Sequence, residues 1–254
     1  MMKVTEKNFI EIKNLSKSFG NVHAVQDVSF GVKTGEIFAL IGPNGAGKST
    51  VLKIISTILQ PTSGLAIIDG IDVVNNPDEV RNIISYLPEE AGAYKNMKGI
   101  DYLRFMADLY SKNKDDGNDF VKRATGICEL GDRLNDKIKT YSKGMTRKLL
   151  LARAVMSNPK LIILDEPTSG LDIINALHIR RVIKDMARHG MTVLLSSHNM
   201  LEIEFMSDRV GIIYGGKMHN IDTAINLKTR YKATNLEEVF ESVVKSIDGE
   251  ERVE

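Results

Sequence analysis

The sequence predicts an α/β fold, a mostly parallel sheet with an α-helical subdomain inserted into it. Three observations support this prediction. A short apolar run, Glu36 to Ile41, leads through a glycine-rich turn into a segment with the apolar spacing of a helix. After residue 160, apolar strands and amphipathic helices alternate, as they do in parallel sheets covered by helices. Between these parts, residues 89–155 have a helical pattern.

The N-terminal part contains two further strands and the first helix. Residues 9–12 alternate between apolar and polar side chains, and residues 22–32 are rich in β-branched side chains. Ser49 to Leu59 has helical periodicity, and we expect Pro61 to end this helix because proline cannot extend one. The later elements are predicted in the order helix, helix, strand, helix, strand, strand, at residues 100–110, 120–130, 161–164, 173–188, 191–195 and 210–214.

The composition excludes several classes of protein. Of the 254 residues, 43% are apolar and 26% charged, which excludes disordered and collagen-like chains. The net charge of +1 provides no general basic excess to hold a nucleic acid. A single cysteine, Cys128, cannot form an internal disulfide and suits a reducing compartment. The apolar runs are far shorter than the ~18 residues that span a bilayer, and Met1 to Lys7 lacks the apolar core of a signal peptide, so we expect a cytoplasmic protein.

Residues 42–50, GPNGAGKST, match the phosphate-binding pattern G-x-x-x-x-G-K-[ST] between a strand and a helix. Its glycines allow main-chain N–H groups to turn toward a phosphate, and the helix N-terminus adds partial positive charge. We expect Lys48 to reach the β- and γ-phosphates of a nucleotide and the Ser49 hydroxyl to bind Mg²⁺. The predicted nucleotide contacts are Gly42, Pro43, Asn44, Gly45, Ala46, Gly47, Lys48, Ser49 and Thr50.

The second half of a nucleotide site follows much later in the chain. Leu161 to Leu164 is a short apolar run, which predicts a buried strand whose carboxyl end carries Asp165 and Glu166. Asp165 is expected beside the magnesium ion. Glu166 lies where a carboxylate can accept a proton from an attacking water, an assistance worth ~10²–10⁴-fold in rate. Together with the glycine-rich loop, this strand indicates a P-loop NTPase.

Four further segments distinguish among the P-loop NTPases. Phe19 precedes the glycine-rich loop, Tyr141 to Met145 opens a predicted helix, Ser169 to Asp172 follows the acidic pair, and His198 follows an apolar strand. With these segments in this order, the sequence from about Phe9 to Tyr214 resembles the ATP-binding subunit of an ABC transporter. The resemblance implies a P-loop NTPase core with antiparallel N-terminal strands.

The resemblance also implies roles for these residues. Phe19 would stack on adenine, and His198 would contact the γ-phosphate. The signature segment of the family would bind the γ-phosphate of ATP held by the opposite subunit, and here it supplies Ser142, Lys143, Gly144 and Met145. Asp172 would belong to the loop that links the two sites. The catalytic residues implied by the family and by the motifs are Lys48, Glu166 and His198.

Two departures from the commonest pattern of the family bear on the site. The signature segment usually reads LSGGQ, whereas here Lys143 replaces its first glycine and Met145 its glutamine. Glu89 stands where the family usually has a metal-contacting glutamine, so the predicted metal ligands are Ser49, Glu89 and Asp165. Both variants resemble the branch of the family that serves exporters of drugs, antibiotics, sodium or polymers.

The resemblance implies an ATPase that uses ATP and Mg²⁺ and works as a homodimer, or as a heterodimer with a related subunit, around two ATP molecules. It would drive transport, in the direction of export, through a separate membrane permease that holds it at the inner face of the cell membrane, with no nucleic-acid partner. The predicted organisation is a P-loop core of residues 1–88 and 156–230, a helical signature subdomain of residues 89–155, and a C-terminal amphipathic helix with an acidic tail, residues 231–254.

Other functions stay open as alternatives. Asn113 to Asp116 and Asp208 to Gly211 match GTPase motifs, although in the reverse of a GTPase's order. A soluble ATPase of the same type acting on a non-transport partner, and a nucleotide-regulated binding module without turnover, are two more. The C-terminal helix has two open interpretations, packing on its own domain or contact within a dimer, and its apolar face includes Leu236, Val239 and Val243.

Overall fold

A computed structural model of the chain describes residues 8–250, with side chains up to residue 247. In chain order, the first elements are β1 (Ile10–Phe19), β2 (Val22–Val32), β3 (Ile37–Ile41), α1 (Lys48–Ile55), β4 (Ser63–Ile68), β5 (Ile71–Asp72), α2 (Pro77–Arg81), β6 (Ile84–Leu87), α3 (Gly99–Tyr110) and α4 (Lys114–Cys128). Two 3₁₀ turns, Gly131–Asn135 and Ile138–Thr140, lead to α5. The remaining elements are α5 (Lys143–Val155), β7 (Leu161–Asp165), α6 (Ile173–Arg188), β8 (Thr192–Ser197), α7 (Met200–Met206), β9 (Arg209–Tyr214), β10 (Lys217–Asp222), α8 (Ala224–Tyr231) and α9 (Leu236–Glu250).

The described strands form two sheets, which confirms the expected α/β fold. One sheet has the order β10-β9-β3-β8-β7-β6, and its strands are parallel except for β10. The other is antiparallel, has the order β2-β1-β4-β5, and contains the N-terminal strands as expected. Along β3, Ala39 and Ile41 pack into one apolar cluster, whereas Phe38 and Leu40 pack into another. Since successive side chains of a strand point to opposite faces, both faces of the parallel sheet are buried.

The helical subdomain enters the fold between two strands that are neighbours in the sheet, β6 and β7. Within it, α4 packs against both α3 and α5. Tyr102 and Leu103 of α3 are buried, but Phe105, Leu109 and Tyr110 of the same helix are exposed. The apolar face that the periodicity predicts is therefore only partly covered.

The prediction that Pro61 ends the first helix is wrong. Helix α1 ends at Ile55, and Thr57 lies in the left-handed region with a φ of +62°. The N–H of Thr57 donates to the carbonyl of Ile54, and the N–H of Ile58 donates to that of Lys53, a turn that closes a helix. No glycine marks this turn in the sequence. Because Ile58 and Leu59 continue the apolar spacing, the predicted helix is longer than the observed one.

Helix α9 packs on the chain's own core. Leu236, Val239 and Val243 are buried, and α9 contacts α7 and α8. The ring of Phe240 lies edge-on to that of Tyr214, with 6.1 Å between centroids. Of the two interpretations of this helix, packing on its own domain describes its position, and the acidic tail beyond it lies outside the described residues. Among residues 8–250, no helix is both long and apolar enough to cross a membrane.

Candidate ATP-binding site

The glycine-rich loop joins β3 to α1 and runs close to two other strands. Gly42 and Gly47 have φ angles of +155° and +103°. A Cβ atom at these positions would lie 2.1 Å from the carbonyl oxygen of Ile213 and 2.5 Å from that of Ala24, so neither position admits a side chain. At Gly45 a Cβ would meet nothing within 4 Å. The loop is thus packed on its strand side and open at Gly45, which fits a cradle of N–H groups around phosphate.

Lys48 is the first residue of α1, and its side chain is buried beneath the loop, with 5% of its surface exposed. The ammonium donates to the carbonyl oxygens of Gly42 at 2.7 Å and Pro43 at 3.0 Å. Burial lowers the pKa of Lys48, and the surrounding carboxylates of Glu166, Asp165 and Glu89 oppose that shift. A cation held in this place suits the β- and γ-phosphates of a nucleotide.

Asp165, at the carboxyl end of β7, is surrounded by hydroxyl groups. Its Oδ1 accepts from Ser49 Oγ at 3.1 Å and from Ser196 Oγ at 2.5 Å, and its Oδ2 accepts from the hydroxyl of Tyr86 at 3.4 Å. Burial and the neighbouring carboxylate raise the pKa of Tyr86, so it stays a neutral donor. A carboxylate beside a serine hydroxyl is the oxygen donor set that Mg²⁺ takes. Among the described residues, the Glu89 side chain forms no hydrogen bond with Ser49 or Asp165.

Glu166 is the most unusual residue of the site. Its side chain is buried and its backbone is left-handed, with a φ of +47°, a conformation that costs a non-glycine residue about 1–2 kcal/mol. Oε2 lies 2.9 Å from Nδ1 of the half-exposed His198. Oε1 lies 3.9 Å from Nζ of Lys48 and has no hydrogen-bond partner among the described residues. A buried oxygen left without a partner, next to a phosphate cradle, is placed to accept a proton from a water molecule.

A cavity of about 400 Å³ adjoins Glu166. It lies between the segment after β6, the start of α5 and the segment after β7, and its lining includes Glu89, Glu90, Tyr141, Lys143, Arg147 and Ser169. A larger cavity of about 610 Å³ is lined mainly by residues of α4 and α6 and by none of the predicted site residues. Of the predicted site residues, Glu89, Lys143 and Glu166 line the smaller cavity.

The signature segment lies at the N-terminus of α5, next to the loop after β7. Ser142 caps the helix because its hydroxyl accepts from the N–H of Met145 at 3.1 Å. A Cβ at Gly144 would lie 2.3 Å from Nδ2 of Asn175, and one at Gly170 would lie 2.2 Å from Nζ of Lys143. The signature segment and the 169–172 loop therefore touch within one chain. The Ser142 and Lys143 side chains are exposed, whereas Gly144 is buried.

Asp172 caps α6 in a similar way. Its carboxylate accepts from the N–H of Asn175 at 2.9 Å and from the amide of the same residue at 2.6 Å. The hydrogen bonds from Asn175 hold the pKa of Asp172 below its usual range. Phe19, at the end of β1, is exposed, and Nζ of Lys17 lies over its ring, 5.1 Å from the centroid.

Comparison with known proteins settles which P-loop NTPase this is. The sequence profile of the ABC transporter family matches residues 25–169, more than half of the chain. The chain belongs to the ABC transporter family. It is an ATP-binding subunit of that family and an ATPase, as the residues from Phe19 to His198 led us to expect.

Its relatives include ATP-binding proteins named for transport or for resistance. The linearmycin resistance ATP-binding protein LnrL of Bacillus subtilis (strain 168) is 36% identical over 224 residues, 87% of this chain and 71% of the relative. The lantibiotic transport ATP-binding protein SrtF of Streptococcus pyogenes is 34% identical over 236 residues, 92% of this chain and 97% of the relative. A solved ATP-binding subunit of an ABC transporter is 28% identical and superposes with a TM-score of 0.83, covering 93% of this chain and 99% of that one.

The structure of this ABC ATPase brings one group of predicted residues into direct contact. Lys48, Ser49, Asp165, Glu166 and His198 form a continuous set of hydrogen bonds and ion pairs with their shared neighbours. In the loop, Asn44 is exposed, Ala46 is buried, and Pro43 and Thr50 are half-buried. Met145 is half-buried against the core. Residues 142–145 form no hydrogen bond with residues 42–50 among the described residues.

Three residues of the site escaped sequence prediction, namely Tyr86, Ser196 and Arg147. Tyr86 and Ser196 reach Asp165 from β6 and β8, the two strands beside β7. Ser196 could have been found from the sequence, because two serines, Ser196 and Ser197, follow an apolar strand there. Arg147 had no signal, because a basic residue in an amphipathic helix usually faces solvent.

The GTPase alternative has no structural support in this ABC ATPase. Asn113 caps α4, where its side chain accepts from the N–H of Asp116 at 2.9 Å. The Asp208 carboxylate accepts from the N–H of Ile37 at 2.8 Å. The first match thus caps a helix, and the second binds the first residue of β3, so each has a structural role.

Proposed function

We propose that this chain closes with a second copy, or with a related subunit, around two ATP molecules and hydrolyses them to drive a separate membrane permease. Each ATP would lie between the glycine-rich loop of one subunit and residues 142–145 of the other. The observation that carries the proposal is Glu166, whose buried Oε1 has no hydrogen-bond partner among the described residues and lies beside Lys48. The exposed side chains at the start of α5 support a contact in trans.

The residues divide the work of hydrolysis. Lys48 binds the β- and γ-phosphates with its ammonium group. Ser49 and Asp165 would hold Mg²⁺, with Glu89 as a further carboxylate nearby, and the ion when bound neutralises phosphate charge. Glu166 accepts a proton from the water that attacks the γ-phosphate, while His198, 2.9 Å from its other oxygen, orients the carboxylate. Loss of the γ-phosphate then weakens the contact between the two subunits, which releases the closed state.

A charge reversal at Lys143 tests the contact in trans. Glutamate is favourable at the first position of a helix, so Lys143→Glu leaves α5 intact but opposes a phosphate. In a Glu166→Gln background, which retains ATP, we expect ATP and Mg²⁺ to produce dimers in size-exclusion chromatography. Adding Lys143→Glu should abolish the dimers while each monomer still binds ATP.

Lys114→Glu is the matched control for this experiment, because Lys114 is the exposed first residue of another helix, α4. It should leave the ATP-dependent dimer unchanged. Dimers that persist with Lys143→Glu would contradict the placement of the signature segment on the partner's ATP.

The helical subdomain carries the surface that we propose for the permease. Tyr94 is exposed, and its ring lies edge-on to those of Phe105 and Tyr102, at centroid distances of 5.7 and 6.1 Å. Phe105 and Leu109 extend the same apolar surface along α3. The relatives' names, which include lantibiotic transport and linearmycin resistance, favour export as the direction. This position would place the subunit at the inner face of the membrane.

We expect Tyr94→Ser to uncouple the subunit from its permease without slowing its own ATP hydrolysis. A tagged chain purified from detergent-solubilised membranes should recover the permease, and Tyr94→Ser should recover about tenfold less, as is usual for an aromatic residue central to an interface. Ile58→Ser is the control, because Ile58 is an exposed apolar residue outside the helical subdomain, just after α1. Equal recovery of the permease by wild type and Tyr94→Ser would contradict this docking surface.

A further inference from the structure

Helix α5 carries a buried arginine, Arg147, whose guanidinium group faces the catalytic segments. An arginine has five N–H donors in a planar fork, and here five main-chain carbonyl oxygens accept from it. Nε donates to Pro167 at 2.9 Å, Nη1 to Pro88 at 2.9 Å and Glu89 at 3.2 Å, and Nη2 to Asp165 at 3.0 Å and Glu166 at 3.1 Å.

The five carbonyls belong to two segments that follow neighbouring parallel strands. Pro88 and Glu89 follow β6, whereas residues 165–167 lie at the end of β7. One side chain from the helical subdomain therefore joins the main chain at Glu89 to the main chain around Glu166. Among the described residues, the main-chain ladder between β6 and β7 ends at Leu87 and Leu164, before these two segments meet.

The contact reaches the backbone of Glu166 and of both its neighbours. Its φ of +47° is a conformation that a glutamate adopts only when its surroundings hold it. Ser196 Oγ accepts from the N–H of Glu166 at 3.1 Å, and Arg147 donates to its carbonyl and to the carbonyls on either side. These bonds aim the carboxylate at Lys48 and His198.

Arg147 differs from an arginine that only balances a buried charge. Among the described residues it forms no ion pair, and its hydrogen bonds go to carbonyl oxygens alone. A lysine at this place would keep the positive charge but has three donors on one nitrogen, which cannot reach both segments in the same way. The hydrogen-bond pattern therefore requires the planar fork, while the positive charge of Arg147 also interacts with the carboxylates of Glu89, Asp165 and Glu166.

We propose that Arg147 is a positioning residue for ATP hydrolysis, which holds the main chain around Glu166 and beside Glu89 so that the Glu166 carboxylate meets the attacking water. The proposal rests on the proposed role of Glu166. Arg147 itself touches no reacting atom. It acts through the backbone of the residue that does, and it ties that backbone to the helical subdomain.

Arg147→Lys in the full chain tests this role. We expect ATP affinity and KM to stay within about threefold, while kcat falls about 10- to 100-fold, the loss that a misplacement near 1 Å produces. Turnover is expressed per titrated ATP-binding site, so that unfolded protein does not contribute.

Arg153→Lys is the matched control, because Arg153 lies on the same helix and its Nε has no hydrogen-bond partner among the described residues. Arg147→Gln, with two donors, should lose more than Arg147→Lys.

A second comparison separates positioning from support of the fold. If Arg147 acts through the Glu166 carboxylate, Arg147→Lys should lower kcat in the wild type but add little in a Glu166→Gln background. A normal kcat per binding site in Arg147→Lys, or equal fold losses in both backgrounds, would overturn the proposal. A Glu166→Gln chain that turns over normally would instead refute the proposed role of Glu166, so the two failures are distinguishable.

Discussion

Glu166→Gln retains ATP binding and lowers ATP hydrolysis by about 10²- to 10⁴-fold, the usual contribution of a general base. Glutamine has the size of glutamate and keeps one oxygen, but it cannot accept a proton from water. The rest of the cradle, Lys48 with its two carbonyl partners, is untouched by the change. Phosphate release measures the rate, and equilibrium binding of ATP measures the affinity.

Glu90→Gln is the control for this substitution, because Glu90 is exposed and lines the same cavity. It removes a carboxylate near the site without removing the one beside Lys48, and hydrolysis should be unchanged. Normal turnover in Glu166→Gln would show that another group takes the proton, and the chain would then need a different mechanism.

Lys48→Ala weakens ATP binding by about 100-fold, because hydrogen bonds to a charged group contribute up to about 3 kcal/mol each. The helix should persist, since alanine favours helices and Lys48 makes its bonds to the loop and not along the helix. Isothermal titration with ATP in the presence of Mg²⁺ gives the affinity, and thermal unfolding checks the fold.

Lys53→Ala is the matched control for Lys48→Ala. Lys53 lies on the same helix, α1, but its side chain is exposed at the far end from the loop. Its replacement should leave ATP affinity unchanged. Equal ATP affinities for the wild type, Lys48→Ala and Lys53→Ala would contradict the assignment of the glycine-rich loop as the phosphate-binding loop.

The sequence was informative where the chemistry restricts residue type within a short segment. The loop before α1 needs glycines where it lies close to the neighbouring strands, and a lysine to bind phosphate. Its amino-acid sequence therefore predicts a phosphate-binding loop. The strand ending at Asp165 is predictable for the same reason, since four apolar residues followed by two acids are typical of a buried strand that ends at a polar site. The family resemblance then supplied roles for the remaining segments, and the matching profile confirms the family itself.

What could not be predicted depends on which strands become neighbours. Tyr86 and Ser196 meet at Asp165 only because β6 and β8 flank β7, an order that local periodicity does not determine. The contacts of Arg147 span two such strand ends. Likewise, the exposed aromatic residues of α3 have the spacing of a buried helix face, and periodicity cannot tell a core contact from a docking surface.

The stoichiometry of ATP bound to Glu166→Gln shows whether two chains share each ATP site. After incubation with ATP and Mg²⁺ and removal of free nucleotide, we expect a dimer that holds two unhydrolysed ATP molecules, one per chain. Lys143→Glu in the same background should elute as a monomer. A monomer that keeps its ATP after free nucleotide has been removed, or a Glu166→Gln dimer that contains only ADP, would contradict an ATP site shared between two subunits with Glu166 as its base.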